Sequence, residues 1–202
     1  MNERGWVVLA LCSALGLGLV GCGDDDGGGG GNGAIQIGGC PTFSGCGGEI
    51  EGTWSYDGAC IDDEMPFDTS FCPSIRLVDT DGEVSGTLTV ADGLLTQSTT
   101  ASFSATFDLP GECTMGLACS MIESALDGAD GIDGSACSEA GDGCRCTITT
   151  ANTSMSSDMV TISGNIATTG SGERYEYCVS GGTLRYRNLD DADFAGVFTL
   201  VR

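Results

Sequence analysis

The side chains that could carry chemistry in this 202-residue chain are a restricted set. There is no histidine, and all seven basic residues are arginines. Without imidazole there is no Ser-His-Asp triad, no Cys-His pair and no histidine metal ligand. What the chain has in number is carboxylate, 29 in all, and cysteine, 12 in all. Two carboxylates facing each other across a cleft can hydrolyse glycosides. No pair stands out for that work: Asp62-Asp63-Glu64 and Asp190-Asp191 read as solvated loops. The aspartates of Asp127-Gly128-Ala129-Asp130-Gly131-Ile132-Asp133-Gly134 recur every third position. A calcium-binding EF-hand loop needs every second position at its start and a closing glutamate. No C-x-x-C pair is present, which argues against structural zinc. The expectation is therefore no catalytic residue, no metal, no cofactor and no enzyme activity.

One cysteine stands apart from the others. After Met1-Asn2-Glu3-Arg4 comes an apolar run, Trp6 to Val20, that ends at Leu19-Val20-Gly21-Cys22. The run is short for a membrane span, which needs roughly 20 residues, and matches the apolar core of an export signal. Leu19-Val20-Gly21-Cys22 resembles the lipobox of bacterial lipoproteins at all four positions. The resemblance implies that residues 1–21 are removed and that Cys22 becomes the lipidated first residue. Two or more acyl chains give stable anchoring, at ~0.8 kcal/mol per buried CH₂. The residue after the lipobox cysteine sorts such proteins, and an aspartate there favours the inner membrane. Here it is Gly23, so the implied address is the cell envelope of a bacterium, at the outer membrane. The implied partner is the membrane, reached through the lipid anchor.

Residues 22–39 then read as a tether. Asp24-Asp25-Asp26 and the glycines of 27–31 cannot bury enough apolar area to offset the entropy of ordering. The domain proper is read as 40–202. Removing residues 1–21 takes away one acid and one arginine, so the formal charge stays at −22. A chain so acidic should not bind nucleic acid, which requires a basic surface.

Ten cysteines remain: Cys40, Cys46, Cys60, Cys72, Cys113, Cys119, Cys137, Cys144, Cys146 and Cys178. An even count in an exported domain reads as a disulfide framework, and spacing alone leaves the pairing open. Cys144 and Cys146, two apart on a strand, face one side and can each bridge to a different neighbour.

The elements that must position these residues are mostly short alternating segments. Trp54 and Tyr56 share a face, and so do Ala101, Phe103, Ala105 and Phe107. Strands are expected near 49–59, 74–78, 86–90, 99–107, 145–150, 159–166, 174–179, 183–187 and 196–201. Asp79-Thr80-Asp81-Gly82 carries a hairpin-turn signal. One helix is expected from the apolar stripe Leu117/Ala118, Met121/Ile122, Ala125/Leu126. Its start is either a Ser120–Glu123 capping box or near Thr114, and Gly128 suits the position just past its end. The fold class is mainly β, an antiparallel meander barrel or a sandwich, disulfide-stapled, with one short helix.

Gly52-Thr53-Trp54 at the start of the first strand is similar to the G-x-W signature of lipocalins and related barrels. The resemblance implies that Trp54 closes one end of the barrel and that a late arginine, here Arg202, packs over it. The helix lies before the later strands rather than after them, and ten cysteines are many for that family. Two roles follow. One is a structural or interaction domain whose protein partners the sequence does not name. The alternative is a lipocalin-like carrier of a small hydrophobic ligand, its interior lined by Phe103, Phe107, Tyr175 and Tyr177.

Overall fold

The computed structural model describes residues 33–62, 72–190 and 196–202. The expected leader, Cys22 and the expected tether as far as residue 32 lie outside them, as do Asp63, Glu64 and Asp191. In chain order the elements are β1 (Gly33–Ile37), β2 (Gly52–Ile61), β3 (Arg76–Ala91), β4 (Leu94–Leu109), α1 (Cys119–Asp127), β5 (Gly134–Ala140), β6 (Gly143–Ser163), β7 (Ile166–Thr169), β8 (Arg174–Ser180), β9 (Thr183–Asn188) and β10 (Gly196–Val201).

Eight of the strands bond in a closed antiparallel ring, β2-β3-β4-β6-β7-β8-β9-β10 and back to β2. The fold is thus the meander barrel of the two expected architectures. Closure comes from the last strand: Val201 of β10 pairs with Ser55 of β2, and Gly196 with Ile61. A closed ring leaves no edge within the barrel to template pairing with another chain. The other two strands are additions. β1 lies parallel to β2 and antiparallel to β3, where those two have splayed apart. β5 forms a hairpin on the far side of β6.

Three strands are much longer than the usual five or six residues. β3 and β4 pair from Ala91↔Leu94 to Arg76↔Asp108, and β4 and β6 from Leu94↔Met159 to Leu109↔Cys144. They run out of the barrel as an extension, and the described residues form two hydrophobic cores. The barrel core holds Trp54, Tyr56, Val84, Leu88, Tyr177, Leu184 and Leu200. The extension core holds Ile75, Phe103, Ala105, Phe107, Leu109 and Ile148, with Cys72, Cys144 and Cys146. Ile37 of β1 packs against both.

The alternation read in β4 holds: Ala101, Phe103, Ala105 and Phe107 are all buried on one face. Several local expectations do not. Segments 74–78 and 86–90 fall largely in one strand, Arg76–Ala91, and Asp79-Thr80-Asp81-Gly82 is no turn. Asp81 pairs with Ser104 and Gly82 with Phe103, so a ladder of fifteen residue pairs overrides the local signal. Gly82 is needed there for space, since a Cβ would sit 3.0 Å from Ile35 and 3.1 Å from the Phe103 ring. Segments 145–150 and 159–166 likewise belong largely to the single 21-residue strand β6. Residues 33–37, read as the end of the tether, form β1, because Ile35 has a buried place against the barrel. Strand structure is therefore present ahead of Cys40, within the stretch read as tether.

The helix corrects a further expectation. α1 starts at Cys119 after Ala118, with no side-chain cap, and none of its residues is buried. Glu123 does not reach back to Ser120; its carboxylate accepts from the Cys137 N–H at 2.7 Å, tying the helix to β5. Gly128 has right-handed geometry at φ −89°, so no left-handed cap is made. Ile122 and Leu126 touch the extension core, while Met121 faces solvent.

Candidate functional site

The ten cysteines form five bridges: Cys40–Cys60, Cys46–Cys178, Cys72–Cys113, Cys119–Cys144 and Cys137–Cys146. Their Cα separations run from 4.1 to 5.7 Å, within the usual range or just below it. Cys144 and Cys146 face one way on β6 and bridge to different partners, α1 and β5. Three bridges brace the extension, whose few apolar side chains make a small core, and two brace the barrel. Small cores are where bridges add most to stability. Five bridges are consistent with an exported, non-cytoplasmic protein. Among the described residues no helix is long and apolar enough to cross a membrane.

Trp54 and Arg202 meet at one end of the barrel. Trp54 is fully buried, and its indole N–H donates to the Ile50 carbonyl at 2.8 Å. The Arg202 guanidinium lies over the ring at 4.1 Å from its centroid and donates to the Glu51 carbonyl. This is cation–π geometry, worth ~0.5–2 kcal/mol. Gly52 makes it possible: at φ +125° it has no Cβ, and one would lie 3.1 Å from the guanidinium.

The barrel interior is polar in a way the sequence did not foretell. Tyr56 and Tyr186 share a hydrogen bond of 2.6 Å between hydroxyls, and the Gln97 amide donates to the Tyr56 oxygen at 2.7 Å. Tyr175 donates to Glu173 at 2.9 Å. Burial raises the Tyr56 hydroxyl above its ordinary range and raises Tyr186 well above it. Burial, then the Glu173 carboxylate, does the same to Tyr175. These phenols remain neutral and serve as hydrogen-bonding wedges. The face shared by Trp54 and Tyr56 was legible as inward-pointing; Gln97, between Leu95 and Thr99 on β4, could have been found from the same alternation.

The cavity among Ile50, Leu88, Leu95, Gln97, Tyr175 and Tyr186 has a volume of about 30 Å³. That is room for a single water, whereas small-molecule pockets run to ~300–1,000 Å³. An eight-stranded ring is just wide enough for side chains to fill. Of the four aromatics named as lining, only Tyr175 and Tyr177 belong to the barrel. Phe103 and Phe107 are in the extension core, because β4 has left the ring by the time it reaches them.

A wider trough of about 450 Å³ lies along the extension, lined by Asp81, Glu83, Ser102, Ser104, Asp133 and Thr149 among others. Asp133 accepts from the Ala151 N–H, which ties the 127–134 loop to β6. Among the described residues no group of three or more acids or cysteines is placed to hold a metal ion. Elsewhere three carboxylates are engaged by arginines. Arg145 grips Asp108 with two nitrogens, Arg174 does so with Asp190, and Arg187 meets Glu176. Each holds its carboxyl below the usual range, with the Gly45 N–H the larger cause at Glu176. Arg185 and Arg187 both lie over the Phe43 ring, at 5.3 and 5.6 Å from its centroid.

No family model, no curated protein and no solved structure matches this chain, so the barrel, its bridges and its filled interior are what a functional reading rests on.

Proposed function

We propose that the chain is a lipid-anchored, exported lipoprotein of the bacterial envelope. Its mature domain has a structural or interaction role and neither catalyses a reaction nor carries a ligand. The observation that supports this is the filled barrel: about 30 Å³ of space among Leu88, Gln97, Tyr175 and Tyr186. Five bridges make the domain a rigid body. Cys22 with its lipobox supplies the anchor, and Gly23 directs it to the outer membrane. The carrier reading keeps the barrel closure and the Trp54–Arg202 pair in its favour. It requires the tyrosine network to open.

Native mass spectrometry of the mature domain, recovered from an oxidising periplasm, tests the role. A mass equal to the bare oxidised chain is expected. Extra mass that leaves on denaturation would overturn the proposal in favour of the carrier. Labelling with a radioactive fatty acid tests the anchor. The label should enter the wild-type chain and be absent from Cys22→Ser, which should also leave the membrane fraction.

A further inference from the structure

The oxidisable side chains of this molecule are sorted by place. All four methionines among the described residues are on the surface: Met115, Met121, Met155 and Met159 are 83, 58, 75 and 60% exposed. Neither core contains one, although methionine commonly fills core gaps. Among the described residues the other reactive groups are buried, hydrogen-bonded or bridged. Trp54, Tyr56 and Tyr177 are buried to within about 1%. The hydroxyls of Tyr175 and Tyr186 are hydrogen-bonded inside the barrel. All ten cysteines of the described residues are bridged, and the sequence has no histidine. Local structure holds the thioethers out. Met115 sits at φ +53°, a left-handed conformation that a bulky side chain rarely adopts. Met121 is on the outer face of α1, and Met155 and Met159 are on the outer face of β6, opposite Ser98 and Leu94.

We propose that Met115, Met121, Met155 and Met159 are sacrificial oxidation sites that consume hypohalous acids and peroxides before these reach the cores. In the step itself the thioether sulfur takes the oxygen of hypochlorous acid. Two electrons pass from sulfur to chlorine, which leaves as chloride, and the proton goes to water. The product is methionine sulfoxide, which is polar and disrupts a core but is harmless on a surface, and it can be reduced again. The inference stands independently of the lipid anchor and of the barrel's role.

The test is limiting hypochlorite, up to four equivalents per chain, on the mature oxidised protein. Met65, which lies outside the described residues, is first replaced by leucine. Peptide mass mapping then assigns each added oxygen, and thermal unfolding follows the fold. The oxygens should enter the four methionines, leave Trp54 and the tyrosines unmodified, and move Tm by less than about 2 °C. Oxygen entering Trp54 or tyrosine first, or a marked fall in Tm, would overturn the proposal. The M115L/M121L/M155L/M159L variant provides the second arm, with M155L/M159L held in reserve if it folds poorly. At equal dose the variant should lose its folded fraction, or gain aromatic oxidation, at least about threefold faster. Equal resistance of variant and wild type would show that the thioethers protect nothing.

Discussion

The bridge between Cys46 and Cys178 should be the most consequential of the five, and its worth can be worked from the topology. It closes a loop of 132 residues. Two other bridges, Cys72–Cys113 and Cys119–Cys144, lie inside that loop and short-circuit 41 and 25 residues of it. The effective loop is then about 70 residues, for which the chain-entropy relation gives about 4 kcal/mol. The Cys137–Cys146 bridge spans only 9 residues and should contribute less than 3 kcal/mol by the same relation. Replacing Cys46 and Cys178 by alanine leaves the local backbone bonds in place, from Cys46 and Gly47 to the Tyr177 carbonyl and from Val179 to the Gly47 carbonyl. Cys46 is exposed and Cys178 half-buried, so little packing is lost. Urea unfolding of C46A/C178A against the wild type, without reductant, should show a midpoint lower by about 2 M, taking m as about 2 kcal/mol per M. A loss under about 1.5 kcal/mol, or a larger loss from C137A/C146A, would refute the loop-entropy reasoning.

Three other outcomes follow from the geometry. Arg202→Ala should destabilise the domain by about 1–2 kcal/mol in the same assay and increase the quenching of Trp54 fluorescence by acrylamide, since the guanidinium covers its ring. Gly86→Ala should cost more than about 2 kcal/mol or abolish folding in the periplasm, because Gly86 sits at φ +118° and a Cβ would lie 2.0 Å from the Ser98 carbonyl oxygen. Stability should fall above pH ~10: burial raises the Tyr56 hydroxyl, and raises Tyr186 well above its ordinary range, so the unfolded chain ionises before the fold does and stability present below that pH is lost as pH rises. Melting temperatures measured between pH 8 and 12 check this, and a flat profile would contradict the buried hydroxyl pair.

What was legible in the sequence was what local periodicity determines. Ala101, Phe103, Ala105 and Phe107 alternate because β4 has one wet face and one dry face, and that pattern exists before any partner is known. Cys144 and Cys146 were readable as a same-side pair for the same reason. Barrel against sandwich was not decidable locally, because closure depends on β10 finding β2 across some 140 residues. The Asp81-Gly82 turn signal failed because the long pairing with β4 sets the register there, and Ile35 and Phe103 on the adjacent strands leave room only for glycine. The apolar stripe of α1 was real, yet of its residues only Ile122 and Leu126 touch a core, and Met121 lies on the outer face. The tyrosine network depends on Tyr56, Gln97 and Tyr186 converging from three strands, and no spacing rule records that convergence.

The place of β1 has a mechanical consequence. A pull from the N-terminal side enters β1 at Gly33. From there the strand runs parallel to β2, so the backbone bonds from Ala34 to Ile37 are loaded in shear, all at once, rather than peeled one by one. Just beyond, the Cys40–Cys60 bridge ties the same segment covalently to β2. Tension therefore passes into the barrel wall through a covalent stop a few residues inside the fold. Such a domain should withstand a pull from that side as a unit, the Cys40–Cys60 bridge holding β1 to the barrel wall even after its hydrogen bonds have parted.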